Sequence, residues 1–237
     1  MENLSGSVAV VTGGARGIGA AIGKRLARMD ATVVLTARDE ERLNAVAEEI
    51  RSAGGWAEVV SFDLLDEAAI KGFARSIKER HERCDILVNN AGVGRIGRPL
   101  HEMDPKDWDE VMGTNLRAPY LMIRAFAPMM IAARTGHILN ISSLAGHNPL
   151  KNGAAYAASK WGLNGLTYSA AEELREYGIR VPVIAPGSVN TGFSVSGGKN
   201  PDKRLQPEDV ANLVAMMVMQ APQSFVSEVL IRPTTKP

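Results

Sequence analysis

Cysteine is almost absent from this chain of 237 residues, because Cys84 is the only one. A single cysteine cannot form an internal disulfide, which fits a reducing compartment, and the apolar run after it favours a buried structural thiol. No apolar run approaches the ~18 residues needed to span a bilayer. The start, Met1-Glu2-Asn3-Leu4, lacks a basic segment followed by an apolar core. We therefore expect a soluble cytoplasmic protein that makes no membrane contact.

An excess of charge of either sign is also missing. The 27 Lys and Arg residues nearly balance 26 Asp and Glu residues, and the formal net charge is +1. Because the basic residues are dispersed, no nucleic-acid partner is expected. The four histidines lack the i, i+4 spacing of metal ligands, so no metal site is expected either.

The sequence Tyr156-Ala157-Ala158-Ser159-Lys160 brings a hydroxyl acid and a cation together. In a helix, residues i and i+4 lie about 5–6 Å apart at Cβ on one face, so Lys160 would lie beside the phenol of Tyr156. A neighbouring positive charge favours phenolate, and we expect Lys160 to lower the pKa of Tyr156 toward neutrality. Taken alone, the pair also fits a solvated surface pair, and the other motifs must decide between the two interpretations.

A glycine-rich turn follows the first apolar run of the chain. Residues 8–11 are apolar, residues 12–19 read Thr-Gly-Gly-Ala-Arg-Gly-Ile-Gly, and a helical pattern follows. Gly13 permits a tight turn, Gly17 lets the backbone approach a phosphate, and Gly19 lets the helix pack on the strand. The free N–H groups of the helix start suit a pyrophosphate. This context predicts a dinucleotide-binding turn.

Together these motifs resemble the short-chain dehydrogenase/reductase family over nearly the whole chain. They are the glycine turn, Asn89-Asn90-Ala91-Gly92, Asn115, Ser143, Tyr156, Lys160 and Pro186-Gly187. The resemblance implies that Ser143 and Tyr156 hold a substrate carbonyl oxygen and that Tyr156 gives it a proton. It further implies that Lys160 orients Tyr156 and contacts the nicotinamide ribose, and that Asn115 holds a water linking Lys160 to solvent.

The resemblance, together with the positive charges of Arg16 and Arg38, implies a cofactor site whose residues come from most of the chain. Asp63 would contact the adenine, followed by the Leu64 N–H, and Thr191 would contact the carboxamide; without the resemblance, Asp63 would be a loop or cap residue. The expected cofactor-binding residues are Gly13, Arg16, Gly17, Ile18, Gly19, Arg38, Asp63, Leu64, Asn90, Ala91, Gly92, Tyr156, Lys160, Pro186, Gly187, Val189 and Thr191.

The residues near the second strand bear on the choice of cofactor. A carboxylate at the end of that strand would bind the ribose hydroxyls of NAD, but Ala37 and Arg38 stand there, and Arg16 lies in the glycine turn. Guanidinium groups bind phosphate through bidentate, charge-assisted bonds, so we expect NADPH/NADP rather than NAD. In the alternative, Arg38 is solvated and Asp39 touches the ribose.

Alternating apolar runs and helical patterns predict an α/β fold, a single-domain Rossmann fold whose seven-stranded parallel, doubly wound sheet has helices on both faces. The strands are expected at 8–11, 32–36, 57–62, 86–89, 137–141, 180–185 and 229–231, and the helices at 17–29, 39–53, 66–79, 105–133, 154–177 and 207–219. One domain, 1–237, would comprise a nucleotide-binding half, about 1–115, and a catalytic half, about 116–237, with a lid at about 187–205. Pro182 predicts an irregularity in the sixth strand, since it removes a ladder hydrogen bond.

Three functions are compatible with these residues. The first is NADPH-dependent, reversible reduction of a ketone or aldehyde to an alcohol, as in a carbonyl reductase. The second is 3-oxoacyl-carrier-protein reduction, for which Arg134, Arg175 and Lys151 would form a basic docking rim. The third is a non-catalytic dinucleotide-sensing regulator, which the presence of all four catalytic residues disfavours.

The partners follow from the same expectations. A small-molecule carbonyl or alcohol would be the substrate. Relatives in the family form tetramers through helices that correspond to 105–133 and 154–177. We therefore expect a homo-oligomer, a homotetramer or a dimer. His147, in the loop after Ser143, would flank the substrate or simply fill core or surface space.

Overall fold

A computed structural model describes residues 3–193 and 201–235. The strands within these residues are β1 (Val8–Thr12), β2 (Thr32–Ala37), β3 (Trp56–Ser61), β4 (Ile86–Asn89), β5 (Gly136–Ile141), β6 (Ile179–Arg180), β7 (Val183–Pro186) and β8 (Glu228–Ile231). The α-helices are α1 (Gly17–Ala27), α2 (Glu40–Ser52), α3 (Glu67–His81), α4 (Pro105–Met112), α5 (Ala118–Ala133), α6 (Ala154–Leu174) and α7 (Pro207–Val218).

The strands form one parallel sheet in the order β3-β2-β1-β4-β5-β7-β8, with β6 also paired to β5. The chain moves outward from β1 to β3, returns to β4 beside β1, and continues in the other direction. This reversal leaves a crevice at the carboxyl ends of β1 and β4, which is the usual ligand position in such sheets. The predicted fold class is confirmed.

The described part of the sheet has eight strands rather than the seven predicted, because the sixth is interrupted. Its first part, β6, pairs with Gly136 and His137, and its second part, β7, pairs with Asn140 and Ile141. Pro182 lies between the two parts; it has no N–H to donate, although its carbonyl still accepts the N–H of Asn140 at 3.0 Å. The irregularity predicted at Pro182 is therefore confirmed.

Two apolar cores lie on opposite faces of the sheet, because successive strand residues point to opposite faces. In β1, Ala9 and Val11 join the core shared with α1, α2 and α7, whereas Val8 and Val10 join the core shared with α3, α5 and α6. The sheet is thus covered by helices on both faces, as predicted.

The helix starts follow their capping residues. The Asp39 carboxylate accepts the N–H of Arg42 at 3.1 Å and caps α2, as its position in the sequence predicts. Pro105 and Pro207 stand in the first turns of α4 and α7. Within the described ranges, no helix has the length and apolarity needed to cross a bilayer.

The long helix predicted at 105–133 is divided by a π-helical turn, Gly113–Arg117. In a regular α-helix the carbonyl of Asn115 would accept the N–H of residue 119, and Pro119 has none. The turn widens instead, so that the N–H of Ala118 reaches the carbonyl of Gly113, five residues back. Within the wider turn, Asn115 is fully buried.

Only the ends of the predicted lid, 187–205, belong to the described chain. Val189 bridges Leu205, and the N–H of Asn190 donates to the carbonyl of Leu205 at 2.7 Å. Residues 194–200 of the predicted lid lie outside the described residues.

Candidate active site

Ser143, Tyr156 and Lys160 come together where β5 ends. Ser143 follows β5 and caps a short turn, its Oγ accepting the N–H of Ala145 at 3.1 Å. Tyr156 and Lys160 lie in the first two turns of α6, and only 9% and 4% of their surfaces are exposed. The Lys160 Nζ lies 5.8 Å from the centre of the Tyr156 ring. The structure thus makes them a buried cluster rather than a solvated surface pair.

The pKa of Tyr156 is raised rather than lowered in this structure. Burial raises it, and an interaction with the Ser143 hydroxyl acts in the opposite direction. Lys160 does not produce the expected lowering, because its ammonium lies over the ring and donates to the carbonyl of Ile141 at 2.8 Å. Burial lowers the pKa of Lys160 itself to about 8.

Asn115 joins the loop after β4 to the helix that carries Tyr156. Its Oδ1 accepts the N–H of Val93 at 2.8 Å, while its Nδ2 donates to the Val93 carbonyl at 2.9 Å and to Ser159 Oγ at 3.0 Å. Ser159 in turn donates to the carbonyl of Tyr156 at 2.7 Å. Asn115 therefore braces the cluster; the water expected at this residue stays a prediction.

The glycine turn has the backbone geometry that its sequence predicts. Gly13 and Gly17 have φ values of +68° and +54°. Residues with a Cβ rarely adopt this backbone conformation, whereas glycine adopts it readily. A Cβ at Gly19 would lie 2.2 Å from the Gly13 carbonyl oxygen, so α1 can pack on the turn only with glycine there. Asn90 Nδ2 donates to the carbonyl of Thr12 at 2.9 Å and fixes the turn against β4.

The predicted cofactor residues after β7 lie against this turn. A Cβ at Gly17 would lie 3.1 Å from Thr191 Cγ2, and one at Gly192 would lie 3.2 Å from Arg16 Nη1. A Cβ at Gly92 would lie 3.2 Å from Asn115 Oδ1 and 3.8 Å from Lys160 Nζ. The glycine turn and the Tyr156 cluster thus border one crevice.

Comparisons with known proteins agree with this geometry. The family model described as short chain dehydrogenase matches residues 7–202. A metagenomic short-chain oxidoreductase solved in complex with NADP is 57% identical, with a TM-score of 0.89, and the match covers 98% of this chain and 99% of that one. This chain belongs to the short-chain dehydrogenase/reductase family.

Two other family members extend the comparison. An alcohol dehydrogenase from the archaeon Thermococcus sibiricus, solved with 5-hydroxy-NADP, is 28% identical, with a TM-score of 0.90 and 98% of each chain covered. Sepiapterin reductase of Chlorobaculum tepidum is 31% identical over 239 residues, covering 96% of each chain. Proteins named for different activities thus resemble this chain over nearly its whole length.

The remaining predicted residues of this family site lie along the same edge of the sheet. Asp63 Oδ1 accepts the N–H of Leu65 at 3.0 Å and shapes the turn after β3, beside a buried Leu64. The N–H of Gly187 donates to the carbonyl of Ile231 at 2.8 Å. The other members are Ile18 in the first turn of α1, Ala91 beside the glycine turn, buried Pro186, and half-buried Val189.

Three residues near the family's catalytic cluster, Tyr168, Phe193 and Glu228, were not predicted from the sequence. His147 Nε2 lies 2.8 Å from Glu228 Oε1, which also accepts the hydroxyl of Tyr168 at 3.0 Å. The Phe193 ring packs on Tyr156. Glu228 and Phe193 are 72 and 37 residues from Tyr156 in the sequence (228 − 156 and 193 − 156), so no local spacing could have identified them.

The single cysteine and the possible metal ligands complete the description of the polar groups. Cys84 is 4% exposed, and burial raises the pKa of its thiol far above the ordinary value, as a structural thiol requires. In residues 3–193 and 201–235 no three His, Cys, Asp or Glu side chains are grouped as metal ligands would be.

The lowered pKa of Lys160 predicts a pH-dependent contribution to stability. A lysine titrating near 8 when folded and near 10.5 when unfolded destabilises the fold below about pH 8, and this cost disappears as the pH rises to 10.5. The free energy of unfolding of the wild type should therefore rise over this range by about 3 kcal/mol relative to Lys160→Met.

Urea unfolding of the two proteins at a series of pH values measures this difference. The raised pKa values of Tyr156 and Cys84 act in the opposite direction above pH 9, but they are common to both proteins and cancel in the difference. Parallel curves for the two proteins between pH 8 and 10.5 would contradict the assignment.

Proposed function

We propose that this protein is an NADP(H)-dependent oxidoreductase that reversibly reduces a ketone or aldehyde to an alcohol, with Tyr156 as the general acid and base. The observation that carries this proposal is the convergence of Ser143, Tyr156 and Lys160 on the crevice that the glycine turn borders. Family membership and the relatives solved with NADP and 5-hydroxy-NADP support it.

The residues that border the crevice fit a dinucleotide. The start of α1 presents unpaired N–H groups to a pyrophosphate, and Gly17, without a Cβ, leaves room between the helix start and Thr191. A bound nicotinamide would supply the hydride that reduces the carbonyl carbon. Because Lys160 lies close to both Gly92 and Tyr156, it is placed between the cofactor crevice and the acid.

The chain's own part in the reaction is to bind an oxygen and give it a proton. The Ser143 and Tyr156 hydroxyls hydrogen-bond the carbonyl oxygen, and charge develops there as the carbon is reduced. Preorganised donors at such an oxygen usually make a large contribution to catalysis. Burial raises the pKa of Tyr156 and keeps it protonated, ready to protonate the alkoxide, while the Lys160 ammonium faces its ring.

The preference for NADP over NAD rests on two arginines. Arg16 and Arg38 are both exposed beside the crevice. Asp39, the alternative ribose ligand, is engaged instead, since its carboxylate accepts the Arg42 N–H and pairs with Arg42 Nε at 3.1 Å. We infer that Arg38 and Arg16 bind the 2′-phosphate.

Arg38→Ala should therefore raise the Kd for NADPH about ten- to a hundredfold and leave the Kd for NADH unchanged, because only NADPH carries the phosphate. Fluorescence titration with each cofactor measures both constants. Arg75→Ala, which removes another exposed guanidinium, from α3, should change neither. An equal loss of affinity for NADPH and NADH in Arg38→Ala would disprove the phosphate contact.

The carrier-protein alternative lacks its expected docking rim. Arg134 ends α5 just before β5, and Arg175 precedes β6, so both lie at the amino ends of strands, opposite the edge that bears Tyr156. Arg175 pairs with Glu172 at 2.9 Å, and Arg134 donates to the carbonyl of Glu176 at 2.9 Å. Of the three proposed basic residues only Lys151 precedes α6 near the site. A free small-molecule carbonyl is therefore the better substrate class.

Exposed aromatic side chains support the proposed homo-oligomer. Trp161 is 55% exposed and Tyr120 is 46% exposed, on α6 and α5 respectively. Together with Met112, Leu116 and Leu166 they belong to the helices expected to meet in a tetramer or dimer. Large apolar side chains grouped on a surface are typical of an interface.

A coupled assay tests the proposed function. Oxidation of NADPH and of NADH is followed with simple ketones, diketones and acetoacetyl thioesters. We expect turnover with NADPH and a free ketone or diketone. Turnover confined to acetoacetyl thioesters would favour the carrier-protein alternative, and tight NADPH binding without turnover of any carbonyl would favour the regulator.

A further inference from the structure

An aromatic side chain from the far part of the chain covers the ring of Tyr156. The ring centres of Phe193 and Tyr156 are 5.7 Å apart, and the two planes are tilted by 54°. Phe193 nevertheless remains 38% exposed. A large apolar side chain left partly open beside a buried acid indicates a surface that receives a ligand.

The surroundings hold Phe193 in this position. Its N–H lies 3.4 Å from Thr191 Oγ1, and the Thr191 methyl faces Gly17 of the glycine turn. On the other side, a Cβ at Gly94 would lie only 3.1 Å from Phe193 Cε1, so the loop after β4 can accept the ring because residue 94 is glycine. Phe193 is thus set between the cofactor crevice and Tyr156.

Two further apolar side chains continue this surface. Ile96 is 47% exposed and lies near Phe193 around Gly94. Ile96 and Leu150 both approach Gly153, the residue before α6, where a Cβ would lie 3.5 Å and 2.6 Å from them. Phe193, Ile96 and Leu150 therefore form a continuous apolar surface that begins at the Tyr156 ring.

We propose that Phe193 determines substrate specificity by stacking on an aromatic or other flat, conjugated substituent of the carbonyl substrate. The proposal rests on the proposed function, because it takes the substrate oxygen to lie at Ser143 and Tyr156. With its oxygen there, a substrate must extend one substituent past the Tyr156 ring, and that space is bordered by Phe193. Aromatic rings at such distances attract each other beyond simple apolar burial.

A matched pair of ketones tests this proposal. Acetophenone and cyclohexyl methyl ketone have the same heavy-atom skeleton, but only acetophenone has a flat ring. The ratio of their kcat/KM values is compared among wild type, Phe193→Leu and Phe193→Tyr. The two ketones differ in intrinsic reactivity, but this difference is the same for every protein. It therefore cancels when the ratio of one protein is compared with that of another.

We expect Phe193→Leu to shift this ratio about 2- to 12-fold against acetophenone, which corresponds to the loss of one aromatic pair. Phe193→Tyr retains the ring and should behave as the wild type. Phe225→Leu is the matched control, since Phe225 is 40% exposed but precedes β8 at the amino end of that strand, whereas Tyr156 lies near the carboxyl end of β5. An unchanged ratio in Phe193→Leu would overturn the proposal.

Binding of the same ketones to the NADP⁺-loaded protein separates this proposal from the proposed function. No hydride is available in that complex, so ligand-observed NMR reports affinity without turnover. If no carbonyl is reduced but Phe193→Leu still loses its preference for acetophenone, the proposed reaction fails and the role of Phe193 stands. If the wild type neither binds nor reduces acetophenone, the role of Phe193 is excluded.

Discussion

Tyr156→Phe is expected to lower kcat about a thousandfold or more while leaving the Kd for NADPH unchanged. The substitution removes one hydroxyl for which we propose two tasks, donating a hydrogen bond to the carbonyl oxygen and then a proton to the alkoxide. Loss of an oxyanion donor alone commonly costs about 10²–10³ in kcat, and loss of a general acid about 10²–10⁴. The aromatic ring, which packs on Phe193, is kept.

Single-turnover reduction by bound NADPH measures the chemical step, and fluorescence titration measures the cofactor affinity. Tyr120→Phe is a matched control, because Tyr120 is 46% exposed on α5 and should not affect either quantity. Turnover retained in Tyr156→Phe would refute its assignment as the acid. A parallel loss of NADPH binding would instead indicate that the variant disturbs the crevice.

Gly19→Ala should weaken NADPH binding about a hundredfold and destabilise the fold by about 1–3 kcal/mol. The added Cβ would lie 2.2 Å from the Gly13 carbonyl oxygen and 2.5 Å from Asn90 Nδ2. Neither group can move away without breaking the glycine turn, because Asn90 also donates to the carbonyl of Thr12. The helix start must then shift away from the position that suits a pyrophosphate.

Urea unfolding and cofactor titration measure the two effects, and the same substitution elsewhere provides the control. A Cβ at Gly72, inside α3, would meet no atom within 4 Å. Gly72→Ala should therefore stabilise the protein by about 0.5–1 kcal/mol, since alanine is the better helix former. Wild-type stability and affinity in Gly19→Ala would show that the packing of α1 on the turn is looser than the structure indicates.

The parts of the site that the sequence predicts best depend on local geometry. The strand, glycine turn and helix at residues 8–27 follow from residues that adjoin one another, so the turn could be predicted without the rest of the chain. Tyr156 and Lys160 share a face because four residues span about one helical turn. The break at Pro182 and the cap at Asp39 are likewise consequences of single residue types.

Properties that depend on burial could not be predicted in the same way. The sequence led us to expect that Lys160 would lower the pKa of Tyr156. The folded chain buries both groups instead, and burial raises the pKa of Tyr156 and lowers that of Lys160. The π-helical turn at Gly113–Arg117 also required the structure. Pro119 removes a hydrogen bond in any helix, but whether the helix kinks, ends or widens depends on what packs around it.

The sequence by itself determined the fold class, the dinucleotide turn and which side chains we propose to react, because each is encoded by short spacings along the chain. Only the tertiary structure decided which distant residues meet them. It placed Phe193 on Tyr156 and Glu228 beside His147, and it put Arg134 and Arg175 at the opposite edge of the sheet. Contacts of this kind arise from the packing of the whole chain, which brings together residues whose sequence separation carries no information about their distance.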